Sequence, residues 1–225
     1  MKKIILSMVA ILSTVMASAQ ISYNIKGGLG AGTFYGLNDD YTSDARFTWR
    51  VGVGMEYAFN SAWAITPSLM FVHSGAISEA SRGWFNNDLQ LEKTETDKYV
   101  TNLNYLQLPI NVQWKTPISN NSNIALFLGP YVAVGVGGKT KREYILNNIT
   151  EGVVENSFYG KVSSFKGIED GGAGFKRWDF GLNYGANFEI NKFTVGFVVD
   201  LGLIRNQSTL KSKTLNVNAM VGYRF

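Results

Sequence analysis

The 225-residue chain contains no cysteine, 24 glycines and 13% aromatic residues, and its formal net charge is +4. The lack of cysteine excludes disulfide scaffolds, thiol chemistry and cysteine-ligated metals. Without the two lysines of residues 1–19 the chain has 19 basic and 17 acidic residues, a balance that gives no reason to expect nucleic acid as a partner.

Residues 1–19 have the three parts of a secretory signal peptide. Lys2 and Lys3 supply the positive region, residues 4–15 are mainly apolar, and Ala17-Ser18-Ala19 matches the A-x-A cleavage pattern. The apolar run is shorter than the roughly 20 residues that a membrane-spanning helix needs. We therefore expect cleavage after Ala19 and one mature domain over residues 20–225, which can enter a membrane only through strands.

Eight stretches of the mature chain alternate apolar residues with polar residues or glycine, which is the period of a β-strand. In chain order they are Ile21–Phe34, Trp49–Phe59, Trp63–Ser74, Asn102–Lys115, Ile124–Gly137, Arg177–Ile190, Phe193–Gly202 and Leu215–Phe225. In the sixth stretch, for example, Trp178, Phe180 and Leu182 share one face, whereas Asp179 and Gly181 share the other. Ten residues tilted by about 40° rise about 25 Å, the height of the apolar band of an outer-membrane barrel.

The connections alternate in length, and this alternation predicts the topology. Short links (60–62, 116–123 and 191–192) follow the even-numbered strands, whereas longer polar segments, notably Gly75–Thr101 and Gly138–Lys176, follow odd-numbered ones. Bacterial barrels have short periplasmic turns and long external loops. We predict an all-β fold: an eight-stranded antiparallel transmembrane β-barrel, built as an up-and-down meander with both termini periplasmic. Ten strands are possible, because 138–176 contains apolar stretches that would extend a hairpin above the membrane.

Alternation also fits a soluble barrel with its apolar face inward. Two features favour the membrane barrel. The polar faces are rich in glycine, which suits a cramped lumen better than a solvated surface; these glycines are Gly28, Gly30, Gly32, Gly52, Gly54, Gly181 and Gly185. Aromatic residues lie near strand ends on the apolar face, as interfacial girdles require; they are Trp49, Trp63, Trp114, Trp178, Tyr223 and Phe225.

The inward face of the predicted barrel carries four cations and four anions. They are Lys26, Arg50, Glu56, Lys115, Asp179, Glu189, Asp200 and Arg224. One interpretation is a path for protons or ions. The other is a neutralising salt-bridge plug in a lumen only wide enough for side chains. The equal numbers of the two charges favour the plug, because buried charges are normally paired.

No catalytic, cofactor or metal site is predicted. His73 is the only histidine, which excludes H-E-x-x-H and histidine-rich metal sites, and no G-x-S-x-G nucleophile motif occurs. Basic loop residues near the external rim would suit the phosphates of lipopolysaccharide, although interspersed acids fit ordinary solvation equally well. These residues are Lys139, Lys141, Arg142, Lys176, Arg177, Arg205, Lys211 and Lys213.

Three segments resemble the PorT-like, "porin family" outer-membrane β-barrel domain. They are Tyr105-Leu106-Gln107-Leu108-Pro109-Ile110, Leu128-Gly129-Pro130-Tyr131 and Arg177-Trp178-Asp179-Phe180-Gly181-Leu182, and the closing Gly222-Tyr223-Arg224-Phe225 is also similar. The resemblance spans the mature chain and implies the barrel; an accessory role in type IX secretion is associated with PorT. The terminal Tyr223 and Phe225 resemble the signal read by the barrel assembly machinery, with Met220 at its usual glycine position.

From these observations we expect a non-enzymatic barrel in the outer membrane of a Gram-negative bacterium. Its long loops Gly75–Thr101 and Gly138–Lys176 would contact another envelope protein, a ligand or lipopolysaccharide. A narrow pore and a secretion accessory are the alternatives, and a lipid-modifying or proteolytic barrel enzyme is a third.

Overall fold

The computed structural model describes residues 20–37, 41–85, 91–148, 153–207 and 211–225. The signal-peptide prediction falls on residues 1–19 and so lies outside the described residues. The described strands are β1 (Gln20–Tyr35), β2 (Thr42–Asp44), β3 (Arg46–Ala58), β4 (Trp63–Phe85), β5 (Leu91–Ser119), β6 (Ser122–Gly137), β7 (Lys139–Asn148), β8 (Val153–Ser163), β9 (Trp178–Ile190), β10 (Phe193–Gly202) and β11 (Lys213–Arg224). These ranges contain no helix that is long and apolar enough to cross a membrane.

Eight of these strands close into a ring. The order is β1-β3-β4-β5-β6-β9-β10-β11, and β11 pairs back onto β1 from Asn24↔Arg224 to Tyr35↔Lys213. Every neighbouring pair is antiparallel. Closure leaves no sheet edge in the ring, which a structure in lipid requires because no water is available to pair with free backbone groups. The ring confirms the predicted eight-stranded antiparallel meander.

The two long connections were predicted as polar loops, of which 138–176 would extend a hairpin above the membrane; in the structure the described parts of both are largely β-strand. β4 and β5 keep one register from Trp63↔Trp114 to Trp84↔Lys93, well beyond the expected strand ends. β2 pairs with the outer part of β4, and β7 and β8 continue from the outer part of β5. These outer parts form a sheet in the order β2-β4-β5-β7-β8, here called the external sheet. This sheet lies beyond the lipid-facing part of the ring, where neither face has to be apolar, and its strands show no clear alternation.

The polarity of the two barrel faces is the reverse of that in a soluble protein. Outward side chains are apolar and exposed, as at Leu29 (60%) and Val221 (62%), whereas inward side chains are polar and buried, as at Asn218 (1%). This arrangement confirms the predicted lipid-facing apolar face. Short turns and both described chain ends lie at one end of the ring, which is the periplasmic end by the general orientation of such barrels.

Two aromatic belts mark the limits of the lipid-facing surface. At the external side the indole of Trp49 stacks on His73, 5.8 Å between ring centroids, and His73 pairs in register with Asn104. At the periplasmic side Trp63 pairs with Trp114. Asn104 and Trp114 are ten residues apart on β5, which corresponds to a rise of about 25 Å for a tilted strand. The spacing fits the apolar thickness of one bilayer, and the two belts lie where the sequence predicted aromatic girdles.

An aromatic cluster fills the external mouth of the barrel. It includes Phe34, Tyr105 and Tyr131 from the wall, and Phe165 and Phe175 from the segment between β8 and β9. This segment, residues 164–177, is here called the return segment. Backbone hydrogen bonds join it to the barrel mouth: Ser164 N–H donates to Gly138 O (3.2 Å) and Lys176 N–H donates to Asn206 O (2.7 Å). A polar loop was predicted here, but this segment closes the mouth with two buried phenylalanines.

Candidate functional site

A layer of polar side chains crosses the lumen at its middle. Arg50 on β3 bonds Asp200 on β10, with Nη2 and Oδ2 2.6 Å apart and side chains only 2% and 1% exposed. The same Nη2 donates to Gln107 Oε1 at 2.5 Å, and Asn183 Nδ2 donates to Asp200 Oδ1 at 2.5 Å. These residues come from four different strands of the ring. The layer therefore ties opposite walls of the barrel together through charge-assisted hydrogen bonds.

A second ionic cluster lies near the periplasmic end. Lys115 Nζ is 2.8 Å from Glu56 Oε1 and 3.0 Å from Glu189 Oε2, and all three side chains are largely buried. Arg224 Nη1 lies 3.6 Å from Glu189 Oε2 and 3.9 Å from Glu56 Oε1. Two cations and two anions thus balance each other, again from four different strands.

A cavity of about 80 Å³ separates these two layers. Lys26 contributes to its wall, and the described residues form no ion pair with this lysine. Four buried polar atoms on the wall have no hydrogen-bond partner among the described residues: Asn24 Oδ1, Arg50 Nε, Ser68 Oγ and Asn111 Oδ1. Buried polar groups of this kind are normally satisfied by water, and the cavity has room for a few molecules. The periplasmic half of the lumen is therefore a polar chamber.

The eighth predicted lumen charge, Asp179, lies at the external end, away from both ionic layers. Its Oδ2 accepts hydrogen bonds from Thr214 Oγ1 at 2.7 Å and from the Tyr131 hydroxyl at 3.0 Å. Tyr131 pairs in register with Gly181, and its ring lies against that glycine. A Cβ at Gly181 would be 2.6 Å from the Tyr131 ring and 2.2 Å from Leu201 O. The glycine thus leaves the space in which the tyrosine reaches Asp179.

Arg177 and Tyr105 join the same external cluster through the return segment. The Phe165 ring packs edge-on against Tyr105 at 5.6 Å, and the Arg177 guanidinium lies over Phe165 at 5.8 Å. Arg177 Nη1 also donates to Gly135 O at 3.1 Å. The three segments that resemble the porin-family domain therefore meet at one place, although 72 residues separate Tyr105 from Arg177 in number.

The remaining motif residues have backbone roles. Pro109 faces inward and pairs with Tyr131, and a Cβ at Gly129 would lie 2.0 Å from Ile110 O. Pro130 is on the lipid-facing side. At the chain end the Tyr223 ring packs against Phe193 (5.2 Å) and Phe225 (5.3 Å), on the outer surface of the closing strand. In these positions the motif residues contribute to strand packing and barrel closure.

The external sheet is held by ion pairs across its strands. Lys98 on β5 bonds Glu79 on β4 at 2.6 Å, and this hydrogen bond raises the pKa of the lysine. Arg142 on β7 donates to Asp97 Oδ1 from Nη2 at 2.8 Å and from Nε at 3.1 Å. Its guanidinium also lies 5.4 Å from the centroid of the Tyr99 ring. The sheet therefore presents an ordered surface outside the membrane.

His73 belongs to the external aromatic belt. Its Nδ1 is 2.6 Å from Asn104 Oδ1, and its ring stacks on Trp49 in the external belt. Within the described ranges, no group of His, Cys, Asp and Glu side chains could hold a metal ion.

The alternation places Asn183 on the same inward face as Asp179, so its position follows from the sequence. Gln107 and Asn111 occupy inward positions in the same way but were not identified as lumen residues, and the aromatic closure was not predicted. Phe165 and Phe175 carry no such signal, because nothing in an irregular segment says where its side chains point.

Residues 16–207 match the family described as "Outer membrane protein beta-barrel domain". The chain belongs to this family. It is thus an outer-membrane β-barrel protein, as its closed ring and apolar outer face require.

The structure is similar to three solved outer-membrane proteins at low identity. Ail, the attachment invasion locus protein of Yersinia pestis, is 18% identical, with 91% of this chain and 98% of that chain covered and a TM-score of 0.36. OprG from Pseudomonas aeruginosa is 13% identical, covering 91% and 95%, with a TM-score of 0.34. OprB of Pseudomonas putida is 8% identical, covering 96% of both chains, with a TM-score of 0.25. At these scores the likeness carries no argument about function, and a search of curated proteins found no match.

Proposed function

We propose that the protein is a non-enzymatic outer-membrane barrel that displays its external sheet to a partner, with a lumen plugged by its own side chains. The observation that carries the proposal is the continuation of β4 and β5 from the ring into an ordered sheet outside the membrane. A closed barrel provides a rigid base, and loops or strands positioned on such a base commonly carry recognition.

The filled lumen supports a role other than free diffusion. The Arg50–Asp200 layer and the aromatic closure around Phe165 lie one above the other along the barrel axis. An ion crossing the barrel would have to displace a buried salt bridge and then two aromatic rings. Breaking a buried ion pair typically costs about 3–5 kcal/mol, so a spontaneous open path would be rare.

The tip of the β4–β5 hairpin supports contact with a partner. Trp84 is 56% exposed and Leu91 is 41% exposed, and both lie far along the chain from the lipid-facing belts. Apolar side chains exposed together outside the membrane are typical of an interaction surface. The partner we propose is another protein of the cell envelope; lipopolysaccharide and outer-membrane lipid are the surrounding contacts, and the barrel assembly machinery would read Tyr223 and Phe225 during insertion.

The polar chamber in the periplasmic half favours a second candidate, a narrow pore. The barrel would conduct ions through this chamber if the mid-barrel layer and the return segment moved aside. A PorT-like accessory role in type IX secretion is the form of partner binding that the motif resemblance suggests.

Photo-crosslinking in intact cells tests display. A photoreactive residue would replace Trp84 at the hairpin tip, and a control would carry it at Leu29 on the lipid face. We expect a discrete protein adduct from position 84 and none from position 29. An adduct with a secretion component would favour the accessory role. Lipid adducts alone, at both positions, would refute display to a protein partner.

Planar-bilayer recording of the purified barrel tests the plug. We expect no steady conductance from the wild-type protein. A variant with Arg50→Ala and Asp200→Ala should show brief openings, because the layer that crosses the lumen is gone. Steady single-channel conductance in the wild type would refute the plug and support the pore.

A further inference from the structure

A second cavity lies just outside the membrane and is lined mainly by cations. Its volume is about 250 Å³, and its wall is formed by Arg46 of β3, Val100 and Asn102 of β5, Lys139 and Lys141 of β7, and Lys161 of β8. None of the described residues that line it is acidic. The volume is below the range of about 300–1,000 Å³ that is usual for sites enclosing a whole small molecule. It suits a compact charged group better than a complete soluble ligand.

Two of the lysines are arranged at a cost to the fold. Lys141 and Lys161 are directly opposite each other on paired strands, and Lys139 lies two residues along β7 on the same face. Like charges in this cross-strand position repel each other and destabilise the pair. The Glu143 carboxylate forms an ion pair with Lys141 and offsets part of this repulsion.

The other cations of the cavity have no counter-charge among the described side chains. The described residues form no ion pair with Arg46, Lys139 or Lys161, and Arg46 Nη1 is buried without a hydrogen-bond acceptor. A buried guanidinium nitrogen without an acceptor is costly, because its full desolvation is not compensated. An anion with several oxygens would satisfy the arginine and relieve the repulsion between the lysines together.

The height of the cavity relative to the membrane indicates where that anion is. Asn104 lies in the external aromatic belt and pairs with Gly137, and Lys139 follows two residues later. Val100, which pairs with Lys141, lies four residues beyond Asn104. At about 3.3 Å per residue on a tilted strand, the cavity is about 5–10 Å above the belt. This is the headgroup level of the outer leaflet.

We propose that this cavity binds a phosphate monoester group, carried by a phosphorylated glycolipid of the outer leaflet. The inference rests on the proposed function only in requiring an inserted barrel. It identifies Arg46, Lys139 and Lys161 as the binding residues and Asn102 as a neutral donor on the same wall. The bound headgroup would fix the base of the external sheet against the membrane surface.

Native mass spectrometry of the full-length mature barrel in detergent tests the site. The probes are lipid A with its phosphates, the same lipid A after enzymatic dephosphorylation, and inorganic phosphate. We expect the wild type to retain phosphorylated lipid A about tenfold better than the dephosphorylated form, the factor that one charge-assisted hydrogen bond provides. A variant with Lys139→Gln and Lys161→Gln should lose this preference, and so should Arg46→Gln alone.

The matched control carries Lys93→Gln and Lys166→Gln, which are exposed like Lys139 and Lys161 but lie away from the cavity, so the same charge is removed. It should keep the preference. Equal loss in both double variants would overturn the proposal, because general surface charge would then explain binding, and so would equal retention of dephosphorylated lipid A. All variants must first show the heat-dependent gel mobility of a folded barrel.

The experiment with inorganic phosphate distinguishes a phosphate group carried by a lipid from free phosphate in solution. Displacement of lipid A by millimolar phosphate supports a shared phosphate site filled from the lipid. Phosphate binding that depends on Arg46, without any retention of lipid A, would overturn the lipid source and assign the cavity to a soluble phosphate. A barrel that conducts steadily but still prefers phosphorylated lipid A would refute the plug and leave this site intact.

Discussion

Replacing Arg50 by methionine should be one of the most destabilising single changes in the lumen. Methionine keeps much of the volume of the side chain but removes the charge, leaving the Asp200 carboxylate buried with one remaining donor, Asn183. Leaving a buried charge without its partner typically costs about 3–5 kcal/mol. Gln107 also loses the donor to its Oε1, which adds about 1–3 kcal/mol if water from the chamber does not replace it. We expect a loss of about 4 kcal/mol in the free energy of unfolding.

The assay is urea-induced unfolding of the barrel from lipid vesicles, followed through the fluorescence of its five tryptophans. A double-mutant cycle isolates the pair. Asp200→Asn alone should also be strongly destabilising, because it leaves the buried guanidinium of Arg50 without its counter-charge. The combined variant with Arg50→Met should unfold within about 2 kcal/mol of the wild type, since replacing a whole buried pair by neutral groups is often nearly neutral.

Two results would refute this reasoning. A loss below about 1 kcal/mol for Arg50→Met would mean that the layer is hydrated and screened, as exposed pairs are. Strict additivity of the two single changes would mean that Arg50 and Asp200 do not act as a pair. A change in the denaturant slope would point to a less compact folded state instead.

Two further changes test the external cluster. Tyr131→Phe should lower the free energy of unfolding by about 1–2 kcal/mol, since it removes one donor to the buried Asp179 carboxylate. Tyr184→Phe on the lipid face is the control and should change the free energy of unfolding little. Equal effects of the two changes would contradict a stabilising role for the Tyr131–Asp179 hydrogen bond. Gly181→Val should impair folding, seen as loss of heat-dependent gel mobility, because its side chain would overlap the Tyr131 ring and backbone. Gly137→Ala is the control and should fold normally, since its added carbon would meet only Asn104 Nδ2 at 3.8 Å. Normal folding of both variants would show that the lumen can rearrange to accept the valine, and would contradict the prediction.

The alternation of side chains was enough to predict the eight ring strands, their antiparallel order and the face that meets lipid. The reason is physical, because every strand in a lipid-embedded barrel must present one apolar face and one polar or small face. The polarity of residues such as Trp178 and Asp179 therefore indicates which of them faces the lipid and which faces the lumen. The same parity put all eight charged residues on the inner face. At the β3–β4 and β9–β10 turns the strand ends agree with the prediction to within one residue, whereas β5 and β6 continue to Ser119 and Ser122, beyond the predicted Lys115 and Ile124.

Only the tertiary structure decided which of those inward groups meet. Parity says that Arg50, Asp179 and Asp200 point inward, but the height of each in the barrel depends on strand register and stagger. That register places Asp200 beside Arg50 and leaves Asp179 with Tyr131 at the mouth. The sequence indicated only that residues 138–176 extend a hairpin above the membrane; the pairing of the external sheet and the path of the return segment could not be predicted from it. Outside the lipid no face must be apolar, so the chain carries no periodic record of the strands that form there or of where Phe165 packs.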